Sequence, residues 1–154
     1  AAECDVLAVA STDRPGDDLV EQVHGVERLP ELLPRADVVA LSLPLTGGTQ
    51  GLLDARALAL LPDGALVVNV ARGGIVDTDA LLAECVSGRL RAALDVTDPE
   101  PLPDGHPLWS APGVPVVPHV GGASPASYPR MGRYLHRQLT TYRDTGDLEH
   151  GVHG

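Results

Sequence analysis

The stretch Leu66–Ile75, LVVNVARGGI, constrains the chain more than any other. Leu66, Val67, Val68 and Val70 make a short, β-branched apolar run. It is too short for a globular helix and has the length of a strand buried on both faces of a parallel sheet. The run stops at Arg72-Gly73-Gly74, and a helical pattern follows from Thr78. Open α/β sheets take ligands at such carboxyl-end turns. An arginine placed there presents its planar fork to a carboxylate or a carbonyl. Two further strand-like runs end in ionisable residues: Ala92–Val96 leads into Asp98-Pro99-Glu100-Pro101, and Val114–Val117 leads into Pro118-His119. An anion receptor, a carboxylate and an imidazole at three strand ends suit proton and hydride chemistry on a small acid. Taken singly, each has a bland reading as a solvated or ion-paired charge, and it is their joint occurrence that carries the argument.

Strand–helix alternation runs through the rest of the chain. Val6–Ala10 is an apolar run bounded by Asp5 and by the polar stretch Ser11–Gly16, which reads as a buried parallel strand. The segment to Val20 reads as loop, and Val26–Arg28 as a brief edge strand. Pro30 and Pro34 limit Leu29–Arg35 to one or two helical turns. Val38–Leu43 is the next strand, closed by Pro44. Thr46–Thr49 is a turn with a helix cap, and Leu52–Leu61 has helical spacing. Asp77 or Thr78 caps a helix running to Val86, with Gly88 as its stop. Pro115 assigns Val114–Val117 to an edge. Ser124-Pro125 opens a helix expected over Ser127–Arg143. The expected architecture is α/β, one parallel sheet of Val6–Ala10, Val38–Leu43, Leu66–Val70, Ala92–Val96 and Val114–Val117 with right-handed crossovers.

Composition narrows the function classes. At 154 residues the chain is about one domain. It has no Phe, and all eleven basic residues are Arg. A net charge of −10 argues against binding nucleic acid through phosphate neutralisation. Cys4 and Cys85 lie far apart without CxxC spacing and read as reduced thiols. No metal is expected. No signal sequence opens the chain, and no run approaches the roughly 18 apolar residues of a membrane span. The expectation is a soluble, cytoplasmic protein that binds neither membrane nor nucleic acid. His24, His136, His150 and His153 have no supporting motif, and His106 in GHPLW reads as a loop position near a packed Trp109.

ADVVALSLPLTGGTQGLL, LPDGALVVNVARGGIVDTDALL, AALDVTDPEPLPDGHPLW and VPVVPHVGG occur in this order. Together they resemble the D-isomer-specific 2-hydroxyacid dehydrogenase family over roughly Val6 to Arg143, with its coenzyme-binding domain matched and its substrate domain largely absent. The resemblance implies a Rossmann-like, doubly wound parallel sheet. It implies a nicotinamide cofactor, NAD or NADP, and a small 2-hydroxy or 2-oxo acid as substrate. Arg72 in NVARGG matches the arginine that holds the substrate carboxylate and carbonyl. Glu100 in DPEPL matches the glutamate that hydrogen-bonds the catalytic imidazole, and His119 in PHVGG matches the general acid/base. A neighbouring carboxylate favours the imidazolium, which donates a proton to a 2-oxo group as hydride arrives. Asp95 matches the ligand of the nicotinamide carboxamide. Pro44, Thr46, Val70, Ala71, Gly121 and Gly122 match positions lining the cofactor, where Arg72 and His119 also lie. Glu100 argues against formate dehydrogenases, which carry glutamine there.

The sequence departs from the family at its start. The G-x-G-x-x-G turn that cradles a pyrophosphate at a helix N-terminus does not occur. Val6–Ala10 corresponds to the strand after that turn, so the fold is expected to lack the first strand. Direct pairing of Val6–Ala10 with Val38–Leu43 would close the gap and occupy the pyrophosphate crevice. The expected organisation is a partial dinucleotide-binding domain over 1–123, a returning helix over 124–143 and a polar tail over 144–154. Ala10, followed by Ser11 and Thr12, replaces the acid that holds the ribose hydroxyl, which leans towards NADP with Arg14 as a phosphate partner. Two classes stay open: a dehydrogenase transferring hydride to or from a D-2-hydroxy acid, and an inactive truncated fragment or nucleotide-binding module derived from one. A homodimer is compatible with either.

Overall fold

Alternating burial along short β-branched segments builds the centre of the molecule. The computed structural model describes residues 4–148, and the chain divides into two compact units, Ala1–Pro118 and His119–Gly154. In the first unit the strands are β1 (Ala8–Ala10), β2 (Arg14–Pro15), β3 (Gln22–Gly25), β4 (Val38–Leu41), β5 (Leu66–Asn69) and β6 (Arg91–Leu94). The helices are α1 (Leu29–Leu32), α2 (Ala55–Ala59) and α3 (Thr78–Val86). Strands β4, β5 and β6 form a parallel sheet in that order, with Val38 opposite Leu66 and Leu66 opposite Arg91. Val67 and Asn69 of β5, and Ala92 and Leu94 of β6, point into the core at every second position.

The crossovers cover this sheet with small, cleanly terminated helices. The Asp54 carboxylate accepts the Ala57 N–H at 2.8 Å to start α2, and Asp77 accepts the Ala80 N–H at 2.9 Å to start α3. Gly88, at φ 78°, ends the α3 segment in a left-handed conformation that costs a glycine little. Leu81 and Cys85, four residues apart on one face of α3, join Leu53, Leu58, Val67, Ile75, Leu90, Ala92 and Leu108 in one core. Among the described residues no helix is long and apolar enough to cross a membrane.

Four expectations are corrected. First, the sheet is not single: β1 pairs in parallel with β3, β2 pairs antiparallel with β3, and β1 and β4 lie in separate sheets. The gap is therefore not closed by β1–β4 pairing, because the partner of β1 comes from Gln22–Gly25. Second, Val26–Arg28 is a 3-10 turn, and the strand lies just before it. Third, Val114–Val117 contributes one bridge, Val116 to Leu94, instead of a full strand. It does lie beside β6, since the Pro115 carbonyl accepts the Leu94 N–H and Val117 donates to the Leu94 carbonyl. Pro115 and Pro118 lack the N–H groups that a longer ladder needs. Fourth, α2 is shorter than Leu52–Leu61 because Leu53 is extended, exchanging backbone bonds with Ile75 and Asp77 in a parallel bridge to Val76.

The second unit is built around α4 (Ser127–Thr145), two residues longer than expected and ended by Gly146 at φ 78°. Asp144 and Thr145 are thus helical, not tail, and residues 149–154, with His150 and His153, lie outside the described residues. Tyr128, Met131, Leu135, Leu139 and Tyr142 recur every three or four positions along α4, and each is more than half exposed.

Candidate active site

The Arg72 turn is shaped by the residue that ends β5. Asn69 is only 1% exposed, and its side chain is spent on its own turn. Its Oδ1 accepts the Ala71 N–H and its Nδ2 donates to the Arg72 carbonyl, both at 3.0 Å. The backbone of Ala71 and Arg72 is pinned from below while the Arg72 side chain stays exposed. Arg72 Nη1 donates to the Ala71 carbonyl at 2.6 Å. Above this turn opens a cleft of about 550 Å³ lined by Ser42, Leu43, Pro44, Leu45, Val70, Ala71 and Arg72. Two parallel strand ends, β4 and β5, supply its two sides.

The loop after β6 is fixed to the same region. Asp95 is buried, and its N–H donates to the Asn69 carbonyl at 2.9 Å. Thr97 Oγ1 donates to the Pro99 carbonyl at 2.8 Å, and the peptides before Pro99 and Pro101 are cis. Asp98, Pro99, Glu100 and Pro101 form an exposed loop. Thr46 lies beyond Leu45 in a turn, its N–H donating to Thr49 Oγ1 at 2.7 Å, and is not among the residues that line the cleft.

His119, Gly121 and Gly122 belong to the second unit. His119 is exposed with φ 53°, a left-handed conformation uncommon for a residue with a side chain and often tied to function. The turn that follows leads into α4. Val120 accepts the Ala123 N–H at 2.8 Å, and the Gly122 carbonyl accepts from the Ser124 N–H at 3.0 Å and the Ser127 hydroxyl at 2.7 Å.

Pro44, Val70, Ala71 and Arg72 are thus brought together around one cleft, with Asp95 bonded through its backbone to the residue beneath it. The residues suit the nicotinamide end of a dinucleotide. Leu45 and Val70 are each about half exposed and offer apolar surface to a flat ring, and Arg72 offers a fork to an anion beside it. Sequence reasoning missed Asn69 as the residue that sets the turn. Its signal was there, a lone amide closing a β-branched run.

The pattern of the family described as D-isomer specific 2-hydroxyacid dehydrogenase, NAD binding domain, matches residues 1–121. The chain belongs to this family. Over 134 residues this dehydrogenase-family chain is 41% identical to the (S)-sulfolactate dehydrogenase of Chromohalobacter salexigens, covering 84% of the chain and 43% of that protein. Over 105 residues it is 44% identical to the D-3-phosphoglycerate dehydrogenase of Mycobacterium bovis, covering 68% of the chain and 20% of that protein. A crystal structure of a D-isomer specific 2-hydroxyacid dehydrogenase from Xanthobacter autotrophicus Py2, in complex with NADPH and MES, matches with a TM-score of 0.85 at 38% identity, covering 97% of this chain and 61% of that one. The chain spans less than half the length of these curated relatives. Its α/β fold is the Rossmann-like NAD-binding domain of the D-2-hydroxyacid dehydrogenases.

Proposed function

We propose that the protein carrying this domain transfers a hydride between a nicotinamide dinucleotide and a small D-2-hydroxy acid or its 2-oxo acid. The observation that carries the reading is Arg72, held by the Asn69 amide at the rim of a cleft with apolar walls at two parallel strand ends. Arg72 binds the substrate carboxylate and its neighbouring carbonyl oxygen. His119 gives that oxygen a proton in reduction and takes the hydroxyl proton in oxidation, and Glu100 is the carboxylate that supports the imidazolium. Asp95, Pro44, Thr46, Val70, Ala71, Gly121 and Gly122 hold the cofactor. The nicotinamide supplies the hydride when bound. NAD and NADP are both candidates. Ser11, Thr12 and Arg14 after β1 favour NADP, in keeping with the NADPH named for the Xanthobacter structure.

The test is to follow oxidation of NADH and NADPH with glyoxylate, pyruvate, hydroxypyruvate and sulfopyruvate. Reduction of at least one acid is expected. His119→Ala should lower kcat by about a hundredfold or more, the usual reach of a general acid, with cofactor affinity nearly unchanged. Near-normal turnover in that variant would remove the acid/base role.

A further inference from the structure

The turn bearing Arg72 and the loop bearing Glu100 are joined by contacts that neither the sheet nor the helix caps require. Gly73 lies against the loop with backbone facing backbone. A Cβ on it would fall inside the van der Waals shell of the Thr97 carbonyl and of the Asp98 nitrogen. Gly74 is close as well: a Cβ on it would come 3.3 Å from Asp98 Oδ2, tighter than an ordinary contact. Beside these contacts, Thr78 Oγ1 donates to the Asp98 carbonyl at 2.9 Å, across twenty positions of sequence. A threonine at the start of a helix ordinarily serves as a cap. Here Asp77 caps α3 by accepting the Ala80 N–H, so the Thr78 hydroxyl is left for the loop. It lands two residues before Glu100.

We propose that Thr78 is a positioning residue whose hydroxyl fixes the Glu100 loop against the Arg72 turn. The proposal rests on the reading of Arg72 and Glu100 as site residues. One hydrogen bond is a small device, but the segment it holds, Asp98 to Pro101, is exposed and carries two prolines. The other partner in the seam, Gly73, sets how closely the two backbones approach, and Thr78 sets their register.

The test uses the whole 154-residue chain with Thr78→Val, Thr78→Ser and Arg72→Ala. Two readouts are taken: amide hydrogen exchange, and binding of oxamate, an unreactive 2-oxo acid analogue, followed by NMR. Thr78→Val should speed exchange at Asp98, Glu100 and Gly73 by roughly five- to tenfold, the factor one ordinary hydrogen bond is worth, leaving the interior amides of α3 unchanged. It should also weaken oxamate binding several-fold, and Thr78→Ser should restore both. Unchanged exchange in Thr78→Val, or a serine variant as impaired as the valine one, would overturn the role of the hydroxyl. If Arg72→Ala abolishes oxamate binding while Thr78→Val leaves it intact, the positioning role is overturned and the site reading stands. If Arg72→Ala leaves oxamate binding unaltered, or the parent chain binds none, the site reading fails and the positioning role falls with it, whatever exchange shows.

Discussion

Asn69 shows how one buried amide decides what a strand end can present. Its Oδ1 meets the Ala71 N–H that a sharp turn would otherwise leave unsatisfied, and its Nδ2 adds a donor to the Arg72 carbonyl, which also accepts the Ile75 N–H. Asn69→Ala removes both partners and leaves the buried Ala71 N–H without its acceptor. The expected cost is about 1–3 kcal/mol, read as a lower urea midpoint with an unchanged slope. Asn69→Asp should cost more, because a carboxylate keeps the acceptor but sets a charge in a site that is nearly sealed. A variant as stable as the parent would show that the turn holds itself. This residue also marks a limit of sequence reasoning. Arg72 was legible because a strand-length run breaks at glycines beside it, whereas Asn69 counted only as a member of that run.

At the scale of elements, Arg89 ties the end of α2 to α3. Its Nη1 and Nη2 donate to the Leu61 and Leu58 carbonyls, each at 2.7 Å, and its Nε donates to Glu84 Oε2 at 2.6 Å. The carbonyls at the end of α2 are thereby satisfied by a cation, as helix ends favour. The hydrogen bond from Arg89 holds the Glu84 carboxyl below its ordinary value of 4.5, with the charge of Arg89 adding to it and burial opposing. A carboxylate lowered in the fold stabilises it fully above that ordinary value, and the contribution fades as pH falls through the lowered one. Glu84→Gln should therefore be less stable than the parent at neutral pH, with the gap in urea midpoints shrinking towards zero in acid below the carboxylate range. A gap independent of pH would assign the effect to packing. Helix α3 was legible from its cap and stop. Helix α4 begins at Ser127 after Ala126 with no side-chain cap, not at the Ser124-Pro125 cap expected to open it, and ends at Gly146. Strand β3 was not, because QVHG has Val23 as its one large apolar residue, and only its pairing with β1 makes it a strand. The Thr78–Asp98 bond lies twenty positions apart in sequence, where no local pattern announces it. Glu100 and His119 became candidates through strand-end position and family likeness together.

On the scale of the whole molecule, the two sheets share no ladder among the described residues, and between them in sequence Leu32 and Leu33 are buried. Charge is distributed unevenly along the chain. Arg130, Arg133, Arg137 and Arg143, four of its eleven basic residues, lie on α4, while the chain as a whole carries −10. The same helix holds out its stripe of Tyr128, Met131, Leu135, Leu139 and Tyr142. In colloidal terms this is a sticky particle kept apart by its net charge. At low ionic strength like charge dominates at a distance, and with a screening length of about 10 Å at 0.1 M salt that protection is confined to near contact. The second virial coefficient from static light scattering should therefore fall, and turn negative, as sodium chloride is added. Leu135→Glu with Leu139→Glu should keep it positive, and a coefficient indifferent to salt in the parent would mean the stripe is not sticky. A feature that looks like an idle helix face thus makes dilute buffer the medium in which this chain stays dispersed.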